Sequence, residues 1–451
     1  MSFRTLLTIG SLGLLLTGCT SKFWFPDSGT RPKGAVCRGI CSAPTAEKRG
    51  PKALIGDGEG AEETAEDSGL SSMASAVVNE QISALMRRKA ETVPLGIPER
   101  ALADLPTGEE GRLNILALSA GGSFGAFGAG FLNGWSEQTS VDLKRPEAFD
   151  VVTGVSAGAL LATHAFLGRS GDAVLKRQTT TITTADVLKR RSLLSIGHSN
   201  SLFDSSPLRE TLEELVTPIL LDEVAEATDY NPETGEVARM LLVLAVDLDS
   251  GQPRVLDLGK IARSAPNADR IGRYVDALMA SSAIPIAFPP VFIDGAMHVD
   301  GGTRLTLFFN RYMEEQRAGI EGLRVPPPRL DIIVNSEASL APTCTENTLL
   351  GIGRRSFSAV LDQLDLDSLY RAINEAERDG VEARYVTAEG SGCTPPDDPV
   401  DMFQSAFLRC LYIHGKNVGS SSAPWKTGLD DFPQPAIGAW AVQGSAACKA
   451  S

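Results

Sequence analysis

Histidine is scarce in this chain. Only His164, His198, His298 and His414 occur among 451 residues. None is paired with a Cys-x-x-Cys element, and zinc sites show tighter ligand spacing than this scatter offers. No metal and no other cofactor is expected. A basic field is missing as well, since 42 Lys and Arg stand against 56 Asp and Glu for a net charge of -14. Nothing neutralises phosphates on that scale, which excludes a nucleic-acid partner and electrostatic docking onto anionic lipid. The apolar run from Leu6 to Leu16 is too short to span a bilayer as a mature helix and fits a secretory signal.

What is present begins at that run. Arg4 is the only charge before it, and it ends in Leu16-Thr17-Gly18-Cys19. This resembles the bacterial lipobox, which implies a signal peptide over residues 1–18 and acylation of Cys19. Several acyl chains anchor a protein stably where one does not. Thr20, rather than aspartate, follows the cysteine, and the resemblance then implies the outer membrane, facing the periplasm or the cell surface. Six cysteines remain: Cys37, Cys41, Cys344, Cys393, Cys410 and Cys448. An even set in an oxidising compartment is compatible with three disulfides, out of 15 possible pairings. Cys37 with Cys41, and pairings among the four late cysteines, are expected.

Residues 19–75 are rich in Gly, Pro, Ser, Thr and acids and read as a disordered tether, because they cannot bury enough surface to offset chain entropy. A lead-in over 76–112 carries Val77, Val78, Ile82, Leu85 and Met86 at helical spacing. From residue 113 apolar strands alternate with helices: strands at 113–119, 149–152, 240–246 and 329–334, helices near 207–227 and 271–281, and a hairpin return at 253–258. Such alternation predicts an α/β sheet covered on both faces. Residues 341–451 read as an extension with one amphipathic helix, Phe357 to Arg378, and a Gly/Pro/Ser-rich stretch holding the late cysteines.

Chemistry gathers at three places. Gly154-Val155-Ser156-Ala157-Gly158 lies between a strand and a helix, as a nucleophile elbow requires, and Gly154 and Gly158 keep its flanks free of side chains. Upstream, Ser119-Ala120-Gly121-Gly122-Ser123 links a strand to a helix whose N-terminus offers free amides and the positive dipole end. Without a Walker lysine or a ribose-binding acid it is not a nucleotide loop. Gly121, Gly122 and Ser123 are therefore candidates for an oxyanion hole. A base is also needed. His414 is the sole late histidine a Ser-Asp-His order could use; Asp300, in Val299-Asp300-Gly301-Gly302, ends a strand in a glycine turn. Asp294-Gly295 reads as an ordinary turn.

The elbow, the glycine-rich loop and the Asp-Gly-Gly turn, with Ala280-Ser281-Ser282-Ala283-Ile284-Pro285 and Phe288-Pro289-Pro290 ahead of the last, resemble patatin-like phospholipases over roughly residues 113–340. That resemblance implies a three-layer α/β sandwich with a mostly parallel central sheet flanked by helices. It also implies a Ser156–Asp300 dyad without histidine, oxyanion donors at Gly121, Gly122 and Ser123, and membrane lipids as substrate. The chain departs from the family in three places. Ala120 opens the glycine triplet, Phe124 stands where a basic residue is common, and Thr303 to Phe309 lack the usual Asn-Pro pattern. The expected activity is lipid acyl hydrolysis of phospholipase A or lysophospholipase type through an acyl-enzyme. The alternatives are an α/β-hydrolase-type esterase using His414 and a non-catalytic lipoprotein that keeps the fold.

Overall fold

The computed structural model describes residues 112–428 apart from 141, 193–198, 232–235, 266–268, 309–326, 338–344, 346, 397 and 399. The signal peptide, Cys19, the tether, the lead-in helix, Cys37, Cys41, Cys344, Cys448 and His198 lie outside the described residues.

A nine-stranded mixed sheet organises the described chain. Its centre is built from β1 (Asn114–Leu118), β2 (Val151–Val155) and β3 (Met240–Asp247). Each is a largely apolar run buried on both faces, as parallel strands covered by helices must be. β4 (Gln252–Asp257) returns antiparallel on β3, as the sequence predicted. β5 (Val291–Ile293) and β6 (Ala296–Asp300) form a hairpin, and β7 (Arg329–Val334), β8 (Glu382–Thr387) and β9 (Lys426–Thr427) complete the sheet. The order is β9-β8-β7-β1-β2-β3-β6-β5, with β4 also on β3. The five strands from β8 to β3 are mutually parallel.

Residues alternate between the two faces with the strand period of two. Leu116, Leu118, Val152, Leu241 and Val243 point to one core. There α1 (Gly125–Ser136), α2 (Ala157–Phe166), α3 (Asp172–Thr181), α4 (Ser206–Leu215), α5 (Pro218–Ala227) and α6 (Arg270–Ser281) form one layer. Ile115, Ala117, Val151, Leu242 and Ile332 point to the other core, covered by α7 (Leu349–Arg378) through Leu369, Ala372, Ile373 and Ala376. Those four positions are one helical stripe. This is the three-layer α/β arrangement with a mostly parallel sheet.

Three elements differ from the sequence reading. The helical stretch expected over 207–227 is two helices, broken at Val216 and Thr217 where Pro218 restarts the chain, because proline suits a first turn and not a helix interior. α7 starts eight residues before Phe357, where the Thr348 side chain accepts from the Gly351 amide as N-cap. The sheet also runs on past residue 340. β8 pairs in parallel with β7 over six residues, and α8 (Ser405–Gly419) packs on α1. A glycine pair on α1 permits that packing: a Cβ at Gly130 would lie 2.0 Å from the Tyr412 carbonyl and one at Gly134 2.1 Å from that of Lys416. Of the late cysteines, Cys393 and Cys410 form a disulfide. Among the described residues no helix is long and apolar enough to cross a membrane.

Candidate active site

The strand register brings Ser156 and Asp300 together. β2 lies on one edge of β3 with Val155 opposite Leu244. β4 occupies the other edge over Leu242–Asp247, so β6, which pairs Asp300 with Ala245, must share the edge with β2. β2 and the antiparallel β6 therefore run toward each other along β3, and their C-terminal ends meet at adjacent rows. Ser156 follows the end of β2 and Asp300 is the end of β6. The Ser156 side chain faces the Asp300 carboxylate closely enough to lower its pKa.

Both groups are withdrawn from water, with Ser156 at 6% and Asp300 at 4% exposure. Burial raises the Asp300 pKa to about 6, because the charged form loses hydration. The Ser156 side chain and the hydrogen bond from the Gly302 amide (2.7 Å) pull it part of the way back. The Asp300 amide donates to the Ala283 carbonyl at 2.9 Å, which fixes the strand end.

Ser156 has φ 51° and ψ -119°, a positive φ that a non-glycine residue holds only when its surroundings over-determine it. They do. The Ser156 amide donates to Ser281 Oγ (3.1 Å), whose hydroxyl donates to the Leu244 carbonyl (2.7 Å). Ser282 Oγ donates to the Ser156 carbonyl at 3.4 Å. The flanking glycines are required by contact: a Cβ at Gly154 would lie 2.6 Å from the Gly158 carbonyl, and one at Gly158 would lie 2.3 Å from that of Leu118. At the far end of α2, Arg145 donates to the Ala165 carbonyl (3.0 Å) and Arg239 to that of Phe166 (2.5 Å). These cations complement the negative end of the helix that carries Ser156. Neither arginine was picked out by the sequence.

Gly121, Gly122 and Ser123 lie beside this pair at the head of β1. Gly122–Phe124 form a 3₁₀ turn leading into α1, so the amides of Gly122 and Ser123 have no partner within that turn. Sequence reasoning missed the residue that holds the loop, Asn335. Its backbone amide donates to Ser119 Oγ at 2.8 Å, and its Nδ2 donates to the Ser119 carbonyl at 2.8 Å. Its side-chain oxygen is buried without a partner. The signal that could have found it is a polar residue directly after a central parallel strand, where ligand sites of such sheets lie.

Phe124 is also explained. Its ring meets Phe407 edge-on at 5.7 Å, an apolar contact that a basic side chain there would not make. The described histidines serve elsewhere. His414 stacks on Phe127 at 5.7 Å, His298 contacts the Ala296 carbonyl through Nδ1 at 3.0 Å, and His164 lies within α2 beside Gln178. Asp294 is a turn residue of the β5–β6 hairpin with φ 50°. Among the described residues no group of three or more His, Cys, Asp or Glu could hold a metal ion.

A parallel α/β sheet whose adjoining strand heads present a strained serine, a buried carboxylate and a glycine loop is the frame of an ester hydrolase. A model described as patatin-like phospholipase matches residues 116–310 of this chain. A cGAMP-activated phospholipase of Escherichia coli (strain TW11681) is 26% identical over 216 residues, 45% of this chain. The chain spans 55% of that relative's length. Among solved structures, VipD from Legionella pneumophila aligns over 70% of this chain and 68% of its own, with 12% identity and a TM-score of 0.36, too low to support any argument here.

Proposed function

We propose that the protein is a lipid acyl hydrolase of phospholipase A or lysophospholipase type that works through an acyl-enzyme on Ser156, with Asp300 as its base. The observation that carries this reading is the meeting of the strained, buried Ser156 at the end of β2 with the buried Asp300 carboxylate at the end of β6. As Ser156 Oγ attacks the ester carbonyl, its proton passes to Asp300. The carbonyl oxygen becomes an oxyanion facing the amides near Gly121, Gly122 and Ser123, which are already oriented when the charge develops. Collapse of the intermediate breaks the ester C–O bond, and Asp300 returns the proton to the leaving alcohol. Water, deprotonated by the same carboxylate, then releases the fatty acid. A base with a pKa of about 6 is ionised at neutral pH yet remains basic enough to take a proton.

A fluorophosphonate probe is expected to label Ser156 in the wild-type protein and to leave Ser156→Ala unlabelled. Fatty-acid release from a panel of phospholipids and neutral esters should stop in the same variant. Labelling that persists in Ser156→Ala, or unchanged release, would refute the assignment.

We place this hydrolase in the bacterial cell envelope, as an outer-membrane lipoprotein anchored through acylated Cys19. Support comes from the Leu16-Thr17-Gly18-Cys19 sequence and from the substrate class, since tethering raises the effective concentration of enzyme at lipid. Cys19→Ala is expected to abolish incorporation of a palmitate analogue and to move the protein from the membrane pellet to the soluble fraction. Retention in the pellet without label would remove the anchor from the account.

A further inference from the structure

A cavity of about 380 Å³ begins at Gly122, Ser123 and Ala157, beside the serine and the oxyanion loop. It runs between α2, α4 and α6, and its walls include Leu160, Leu161, Leu208, Leu212 and Leu278. His164 also lines it, and burial holds that imidazole down to about 4, so it is neutral at physiological pH. Arg177, Asp186 and Glu214 also reach the lining, but the leucine wall matches an acyl chain better than a headgroup.

One wall comes from outside the matched family region. Phe403 and Leu408 line the cavity and belong to the segment closed by the Cys393–Cys410 disulfide. The segment is tied down along its length. Thr184 Oγ1 donates to Asp401 at 2.6 Å and accepts from the Phe403 amide at 3.3 Å, and Arg190 pairs with Asp398. At its far end Phe407 meets Phe124, the residue after the oxyanion donors. A strap of the C-terminal region thus joins the cavity wall to the catalytic loop.

We propose that this cavity holds the acyl chain of the substrate, and that the strap over residues 393–410 is the wall that sets the chain length accepted. The proposal rests on the hydrolase reading of Ser156. Each buried methylene is worth roughly fourfold in affinity, so a filled or breached wall discriminates against long chains far more than short ones.

The test uses the full-length protein and p-nitrophenyl esters of butyrate and palmitate. Leu212→Trp fills the cavity and is expected to lower the palmitate-to-butyrate ratio of kcat/KM by ~100-fold. Phe403→Ala opens the strap wall to water and is expected to lower that ratio by ~10-fold, chiefly through KM. Ile413→Ala, exposed on α8 and away from the cavity, serves as the control that leaves the ratio unchanged. A second readout is binding of the fluorescent fatty acid cis-parinaric acid to Ser156→Ala, which should weaken by a similar factor when Leu212→Trp or Phe403→Ala is added. If the wild type cleaves neither ester, the hydrolase reading fails and the binding measurement still decides the cavity. If esters are cleaved but both variants keep the wild-type ratio and fatty-acid binding, the acyl site lies elsewhere. If only Phe403→Ala is silent, the cavity stands and the strap's role in length selection is overturned.

Discussion

Asp300→Asn is expected to lower kcat on a lipid ester by about 10⁴-fold, the scale seen when a nucleophile loses the partner that manages its proton. The amide oxygen of asparagine can still accept from the Gly302 amide, as Asp300 Oδ1 does at 2.7 Å, so geometry is kept while basicity is lost. The same carboxylate sets the acid limb of the wild-type profile. Its pKa is raised to about 6, so kcat/KM should fall tenfold per pH unit below that value. The stability consequence has the opposite sign to that of a salt-bridged aspartate. Between the ordinary 3.8 and about 6 the folded state binds more protons than the unfolded chain, so stability drops as pH rises through this window. Above about pH 6 the buried charge costs about 3 kcal/mol in full; below 3.8 the cost is gone. Asp300→Asn carries no such charge. Denaturant unfolding should find it more stable than the wild type at pH 8, with the difference shrinking toward pH 4. A variant that keeps wild-type activity would instead require a base other than Asp300, the histidine-type reading.

The candidate residues Ser156 and Asp300 were legible in the sequence because each motif is local. An elbow such as Gly154 to Gly158 needs glycines at fixed offsets, since Gly158 passes 2.3 Å (as a Cβ contact) from the Leu118 carbonyl, and fixed offsets are visible in one dimension. The central strands were equally legible, because burial on both faces makes residues 240–246 apolar throughout and leaves Ile332, Ile333 and Val334 as an apolar run. What escaped depends on long-range placement. Glu382–Thr387 reads EARYVT and shows no continuous apolar run, since it lies near the sheet edge with Arg384 hydrogen-bonded to Asp331 at 2.5 Å. α8 sits in a stretch whose glycines and serines suggested loop. Its Gly415 and Gly419 are there for close packing on α1, where a Cβ would lie 2.1 Å and 2.3 Å from the Phe127 and Phe131 carbonyls. Asn335 shows locally only as a polar residue directly after a central strand, and its partner Ser119 lies 216 positions away.

Gly121→Ala is expected to lower kcat by ~10²–10³-fold, the range for losing an oxyanion donor, whereas Gly122→Ala should leave the fold nearly intact. The two glycines are neighbours with different reasons to exist. A Cβ at Gly121 would lie 1.8 Å from the Asn335 carbonyl oxygen and 2.6 Å from its Cβ, so something must move. Asn335 cannot yield, because it follows β7 in mid-sheet and is held by both 2.8 Å bonds to Ser119. The glycine loop must therefore shift and carry its amides away from the position the oxyanion takes. A Cβ at Gly122 would meet nothing within 4 Å; the cost there is the positive φ of 56°, about 1–2 kcal/mol for an L-residue. Asn335→Ala should not rescue Gly121→Ala, since the closest clash is with a main-chain oxygen that the substitution leaves in place. Single-turnover acylation rates separate these cases, with thermal melts to confirm that each variant is folded at the assay temperature. Wild-type acylation by a folded Gly121→Ala would mean that the donors to the oxyanion lie outside this loop, and the role assigned to Gly121, Gly122 and Ser123 would have to be given up.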